Sequence, residues 1–362
     1  MANNTALGKA KDARQDEFYT QLADIENELR HYRPHFKGKT VLCNCDDPYE
    51  SNFFKYFALN FNKLRLKKLV ATCYSGSPIT GTQLSLFGDE SDDERRTPYK
   101  AVVTTVHDTT GEGGIDMLDV AELFRIGENT IERLNGDGDF RSAECLELLD
   151  EADIVVTNPP FSLIREYIAM LIEHDKKFII IGPQNALKYK EVFPLIQQNR
   201  LWLGYGFNRG DAYFSIPKEN ARNFAQGVYN AESGLVHFRN CAWYTNLDIK
   251  KRHEEMILFH RYNPTEYPRY VNFDAIEVSK VANIPCDYSG MMGVPITFLN
   301  SFNPDQFELV GVSNVLGVRN EACKAFDPKG GKCFYLGDGE KVTKRIYDRL
   351  VIRNKHPEEP EQ

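Results

Sequence analysis

Apolar residues recur along this chain in two rhythms. Phe18, Leu22, Ile25 and Leu29 fall at spacings of three and four, which predicts a helix over residues 10–31. Residues 40–45 (Thr-Val-Leu-Cys-Asn-Cys) form a short apolar-leaning run of strand length, and Asp46-Asp47-Pro48 supplies the turn that ends it. Helical spacing returns over Glu50 to Leu64, with Phe53, Phe54, Phe57 and Phe61 toward a core. Leu69 to Tyr74 reads as the next strand, and Val102 to His107 as an extra one. A helix near 142–149, a strand running from Asp153 into Asn158, a helix over Leu163 to Glu173 and the buried strand 177–182 complete the alternation. Residues 75–98 break it. They are rich in Gly, Ser and Asp, carry the charge run from Asp89 to Arg96, and read as a surface loop.

Apolar runs alternating with helices over residues 40–205 predict an α/β fold built on a doubly wound, mostly parallel sheet. Such sheets bind ligands outside the carboxyl ends of their strands. Cys45 to Asp47, Tyr74, Asp139 and Asn158 would then line one rim, the arrangement a nucleotide-like cofactor needs.

The sharpest local signal is Asn158-Pro159-Pro160-Phe161, entered directly from a strand. Two prolines fix φ and remove two backbone donors, so the turn is stiff and presents acceptors. The Asn158 side-chain oxygen and the Pro159 carbonyl can together accept both hydrogens of an amino group, which aims the nitrogen lone pair at an electrophile. Phe161 offers a flat apolar face on which a flipped base can stack. No nucleophilic side chain or metal is required.

Composition narrows the setting. The 362 residues suffice for two domains, and 42% hydrophobic with 27% charged residues fits a globular protein. No apolar run reaches 18 residues, so no membrane span is expected. The polar stretch Met1 to Lys11 lacks a signal core. Eight scattered cysteines without a disulfide framework fit a reducing cytoplasm, and Cys43-x-Cys45 is too close and solitary for zinc. A net charge of −8 argues against non-specific coating of nucleic acid, while leaving room for a local basic cleft.

Past residue 205 the βαβ rhythm disappears and aromatics interleave with basic residues, as a surface gripping phosphates and reading bases would. Lys250-Lys251-Arg252 is the best cluster, with Arg209 and Arg239 as further candidates and Lys341, Lys344, Arg345 and Arg353 near the end. The expected division is an N-terminal helical segment (1–38), a catalytic domain (39–204) and a target-recognition region (205–362).

Several segments resemble the class I S-adenosylmethionine-dependent methyltransferases and, more closely, the EcoRI-type adenine-specific DNA methyltransferase family. They are residues 41–53, beginning Val-Leu-Cys-Asn-Cys-Asp-Asp-Pro, Gly138-Asp139-Phe140-Arg141-Ser142, Asn158-Pro159-Pro160-Phe161-Ser162 and residues 292–299 (Met-Gly-Val-Pro-Ile-Thr-Phe-Leu). The similarity runs from about Asp16 to Arg353. Asn-Pro-Pro-Phe specifies methylation of an amino group; the Cys-Asn-Cys-Asp-Asp-Pro turn narrows the likeness to this family. The resemblance implies transfer of a methyl group from S-adenosylmethionine to the N6 amine of a flipped adenine. It implies double-stranded DNA as partner, a cognate restriction endonuclease acting on the same site, and a cytoplasmic monomer. Asn158, Pro159, Pro160 and Phe161 match the loop that holds and stacks the adenine. Asp46 and Asp47, beside Cys45, stand where an acidic group holds the methionine ammonium. Asp139 and Phe140 would contact the cofactor, and Phe18-Tyr19-Thr20 resembles the segment that closes over it. Two departures stand out. The turn after the first strand has no glycine, so its backbone should approach the cofactor less closely. Tyr74 or Ser75 occupies the place where many relatives carry an acidic residue for the ribose.

Three other readings compete. Asn-Pro-Pro-aromatic loops also serve an RNA adenine or a protein glutamine. A nucleic-acid-binding module could keep the fold and lose the chemistry, against which the intact loop speaks. A nicotinamide-dependent dehydrogenase is disfavoured by the missing Gly-x-Gly-x-x-Gly.

Overall fold

Strands buried on both faces are written as unbroken apolar runs, and three such runs organise this molecule. The computed structural model describes residues 18–45, 47–48, 51–73, 98–207, 210–216, 228–338 and 341–359. Asp46, Tyr74, Arg209 and nearly all of the loop expected over 75–98 lie outside the described residues. The chain divides into two units, residues 1–192 with 203–247, and residues 193–202 with 248–362.

The first unit holds β1 (Tyr19–Thr20), β2 (Thr40–Cys43), β3 (Lys68–Thr72), β4 (Tyr99–Val103), β5 (Thr130–Arg133), β6 (Ile154–Thr157), β7 (Lys177–Pro183), a strand on the boundary, β8 (Trp202–Leu203), then β9 (Ala212–Ser215), β10 (Tyr229–Asn230), β11 (Leu235–Phe238) and β12 (Cys241–Thr245). Its main sheet has the order β5-β4-β3-β2-β6-β7-β12-β8. The centre β3-β2-β6-β7 is parallel, while β4, β5 and β12 pair antiparallel to their neighbours. The fold is therefore mixed α/β with a parallel centre. Two successive antiparallel pairings return β5 to the direction of β3, so the carboxyl ends of β2, β3, β5, β6 and β7 share one rim. A second sheet, β1-β9-β11-β10, is antiparallel throughout its pairings.

The helix expected over 10–31 is, in its described part, strand β1 followed by α1 (Leu22–Leu29). The periodicity was real only from Leu22 onward; Tyr19 and Thr20 are claimed by pairing with Ser215 and Phe214 of β9. The helix expected over Glu50 to Leu64 is α2 (Asn52–Leu59), capped by the Ser51 side chain, and a separate turn Phe61–Leu64, broken where Asn60 leaves helical geometry. The extra strand lies at Tyr99–Val103 rather than 102–107. Thr104 and Thr105 instead donate their backbone N–H groups to the Asn129 side chain at 2.9 and 3.2 Å. Helices α3 (Ala143–Glu151) and α4 (Ile164–Glu173) fall where the periodicity puts them. Residues 205–247 group with the first unit rather than with the expected C-terminal region, because β12 pairs with β7 and β9 pairs with β1.

The second unit is built on β13 (Ile276–Glu277), β14 (Met292–Pro295), β15 (Phe307–Val312) and β18 (Arg349–Asn354), in the order β13-β14-β18-β15, with a separate ribbon of β16 (Tyr335–Asp338) and β17 (Lys341–Arg345). Phe298, Phe307, Val294 and Ile352 are fully buried in it. Glu277, also buried, takes the Arg349 guanidinium at 2.6 Å and the Tyr270 hydroxyl.

Candidate active site

The rim of the first unit is tied together by side chains at strand ends. Asn44, just past β2, accepts the Tyr167 hydroxyl on its side-chain oxygen and the Thr157 hydroxyl on its carbonyl, fastening the first turn to the end of β6. Burial pushes the Tyr167 phenol well above its usual value, so it remains a donor. Cys45 follows with φ of 78°, the left-handed conformation that a glycine adopts without cost. Asp47 is buried and accepts the Tyr99 hydroxyl at 2.9 Å; its carbonyl accepts the Ser51 N–H at 2.7 Å and leads into α2.

Gly138 fixes the next loop. Its φ is +76°, and a Cβ there would stand 2.1 Å from the Cys73 carbonyl oxygen. Only glycine lets the loop after β5 press against the end of β3. Asp139 follows, its two oxygens taken by Arg141 Nε at 2.9 Å and Nη2 at 2.6 Å; this pairing holds its carboxyl below the usual range. Phe140 is buried edge-on against Tyr167, with centroids 5.0 Å apart.

Asn158 continues β6 and is 6% exposed. Its amide nitrogen donates to the Phe18 carbonyl, which fixes the orientation of the group. Its oxygen is buried and has no hydrogen-bond partner among the described residues. An acceptor in that state carries a desolvation penalty of about 1–3 kcal/mol, which a donor arriving at it would relieve. The Thr20 hydroxyl is likewise buried without a partner among the described residues, while the Thr20 carbonyl accepts Asn52 Nδ2 at 2.7 Å. Pro160 precedes a short 3₁₀ turn over Phe161–Leu163. The Phe161 ring is covered by Phe18, Phe214 and Phe238, at centroid distances of 5.5, 6.2 and 6.5 Å.

The structure therefore brings Cys45, Asp47, Asp139, Phe140, Asn158, Pro159, Pro160, Phe161 and the segment Tyr19–Thr20 to connected loops and strand ends of one unit. Sequence reasoning missed Asn44, Tyr99, Tyr167, Phe214 and Phe238. The alternation in β9, buried Ala212 and Phe214 against exposed Tyr213, was the signal available for Phe214.

The expected phosphate-gripping residues are not gathered in the same way. Arg252 lies over the Trp202 ring at 3.9 Å and donates to the Asn199 side chain at 2.9 Å, an internal packing role. Lys250 is exposed, Lys251 half-buried, and both belong with Arg252 to a short 3₁₀ turn of the second unit. Arg239 is exposed in the first unit, between β11 and β12. Among the described residues no group of His, Cys, Asp and Glu is arranged to hold a metal ion, and no helix is long and apolar enough to cross a membrane.

A parallel-centred α/β sheet whose inner strand delivers a buried amide oxygen from Asn-Pro-Pro-Phe marks the class, a methyltransferase. The model of the family described as adenine-specific methyltransferase EcoRI matches residues 6–355, and the chain belongs to that family. It is 45% identical to Type II methyltransferase M.EcoRI of Escherichia coli, over 98% of each chain. It is 36% identical to Type II methyltransferase M.MpnI of Mycoplasma pneumoniae, covering 96% of this chain and 98% of the relative. It is also 36% identical to Type II methyltransferase M.MgeORF184P of Mycoplasma genitalium, over 84% and 85% of the two chains. No solved structure matches the chain.

Proposed function

We propose that the protein is a site-specific DNA adenine-N6 methyltransferase that uses S-adenosylmethionine, working on a class I-type sheet with the second unit as its target-recognition region. The observation that carries this reading is the Asn158 oxygen, buried, oriented and without a partner among the described residues. Membership of the adenine-specific family and the Type II names of the relatives support it.

The rim fits the cofactor. Asp47 offers a carboxylate suited to the methionine ammonium, and the Thr20 hydroxyl is a buried polar group without a partner among the described residues. Asp47, Thr20, Cys45, Asp139 and Phe140 would hold it. When bound, the cofactor supplies an electrophilic methyl group on a sulfonium. The Asn158 oxygen and the Pro159 carbonyl accept the two hydrogens of the adenine amine, turning its lone pair outward and stabilising the charge that develops on nitrogen. Phe161 stacks on the purine, and entry of the base displaces Phe18 from its face. The proton leaves N6 after that nitrogen has become positive, so no side chain needs a shifted pKa.

The test is incubation of the protein with duplex DNA and S-adenosylmethionine, then nuclease digestion and mass spectrometry of the nucleosides. N6-methyladenine is expected. Intact cofactor binding by calorimetry with no methylated nucleoside would overturn DNA as the substrate in favour of RNA or a glutamine amide. Absence of cofactor binding would point to a catalytically silent module.

A further inference from the structure

The charge of the chain is unevenly distributed. The total is −8, yet residues 313–353 carry nine Lys and Arg against five Asp and Glu. Most of the nine are engaged. Lys324 pairs with Glu321 at 2.6 Å, Arg345 with Asp327 at 2.9 Å, Arg349 with Glu277, and Arg353 with Glu308 at 3.0 Å; Arg319 donates to the Asp327 carbonyl. The four that remain, Lys329, Lys332, Lys341 and Lys344, are exposed and have no ion-pair partner among the described residues. Two lie on β17 itself and two in the loop that leads to β16.

The ribbon that carries them is one-sided. Cys323, Cys333, Tyr335 and Val342 form a small buried cluster beneath it. The outer side of β16 is covered, since the Tyr335 carbonyl accepts the Val271 N–H at 3.0 Å and the Tyr335 N–H donates to the Asn272 side-chain oxygen at 3.0 Å. β17 pairs only with β16 among the described residues. A bulge between Leu336 and Gly337 shifts the register, and a Cβ on Gly337 would stand 1.9 Å from the Lys341 carbonyl oxygen, so this distortion is built around that glycine. Just beyond β17, Tyr347 is 90% exposed, an isolated large aromatic beside the basic strand.

Lysines on an open edge strand also protect against aggregation. That role explains Lys341 or Lys344 singly, but not two more unpaired lysines in the preceding loop or an aromatic left in water. A two-stranded ribbon has the width that the major groove of B-DNA admits, and unpaired ammonium groups beside an aromatic suit phosphates flanking a base edge. We propose that the ribbon β16–β17, with Lys329, Lys332 and Tyr347, is the surface that lies along a groove of the duplex substrate and grips its phosphates. This rests on duplex DNA being the substrate, as proposed above.

The test compares the full-length wild type, Lys341→Gln/Lys344→Gln, and a control of equal charge loss on the first unit, Lys37→Gln/Lys63→Gln. Binding to a duplex containing the methylation site and to an unrelated duplex is followed by fluorescence anisotropy over a series of salt concentrations, and melting temperatures confirm folding. The ribbon variant should weaken binding to both duplexes alike and lower the log–log salt slope by about 2, with the control slope unchanged. Wild-type affinity and slope in the ribbon variant would overturn the ribbon while leaving the proposed function intact. Failure of the wild type to bind or methylate any duplex would overturn both. Equal slope losses in ribbon and control variants would show a diffuse field and overturn the ribbon alone.

Discussion

Two buried polar clusters, one from each unit, show opposite states. In the second, Glu277, Arg349 and Tyr270 satisfy one another. In the first, the Asn158 oxygen and the Thr20 hydroxyl are buried with no partner among the described residues, at the ends of well-packed strands. A completed network specifies structure, whereas an incomplete one beside a rim is a stability cost that the site repays only by taking a ligand. The difference is local to these two clusters: the Tyr335 hydroxyl and Arg319 Nε of the second unit are also buried without a partner among the described residues, and the Asn44–Tyr167–Thr157 network of the first unit is complete.

The largest test of that contrast is Glu277→Ala. It leaves the Arg349 guanidinium, 15% exposed, without its counter-ion and should destabilise the full chain by about 3–5 kcal/mol in denaturant titration, with turnover of the folded fraction retained. A loss under about 1 kcal/mol would show that the pair is not a structural requirement. Asn158→Ala should do the reverse. Turnover should fall about 10²–10³-fold in single-turnover methylation, while folding and cofactor affinity by calorimetry stay near wild type; unchanged turnover would remove Asn158 from the mechanism. Gly138→Ala falls between the two, because the added Cβ meets the Cys73 carbonyl in a left-handed backbone. A destabilisation of about 1–3 kcal/mol and weaker cofactor binding are expected, read by thermal melting and calorimetry.

The smallest effect concerns Asp139. Arg141 holds its carboxyl below the usual range, so its contribution to stability is present above the unfolded value, near pH 4, and is lost as the pH falls through the lower folded value. Asp139→Asn should lower the melting temperature slightly at pH 7, and the gap to wild type should close below about pH 4. A gap that widens in acid would contradict the pairing with Arg141.

The same contrast governs what could be read from the chain. Strands β2, β6 and β7 were legible because burial on both faces leaves unbroken apolar runs, and Asn158 because two consecutive prolines after such a run admit few other uses. β1 was hidden inside a helical spacing that Phe18 happens to extend, since its partner β9 lies almost two hundred residues away. Arg252 looked like a phosphate contact for want of any sign that Trp202 would stack on it. The missing glycine after β2 gave no sign that Cys45 takes a left-handed conformation. In the second unit, short strands joined by long irregular segments left no period to follow.

The bond from Asn158 to the Phe18 carbonyl also has a temporal meaning. Residue 18 leaves the ribosome early and residue 158 much later, and the strand that pairs with β1 among the described residues is β9, ending at Ser215. A nascent chain that has already made the whole parallel centre still lacks the strand that holds Phe18 in place. The Asn158 amide is thus oriented by one of the last long-range closures of the first unit. A chain cut after residue 204, where the sequence suggested a domain end, would contain Asn158 to Phe161 and lack the strand that pairs with the segment orienting Asn158.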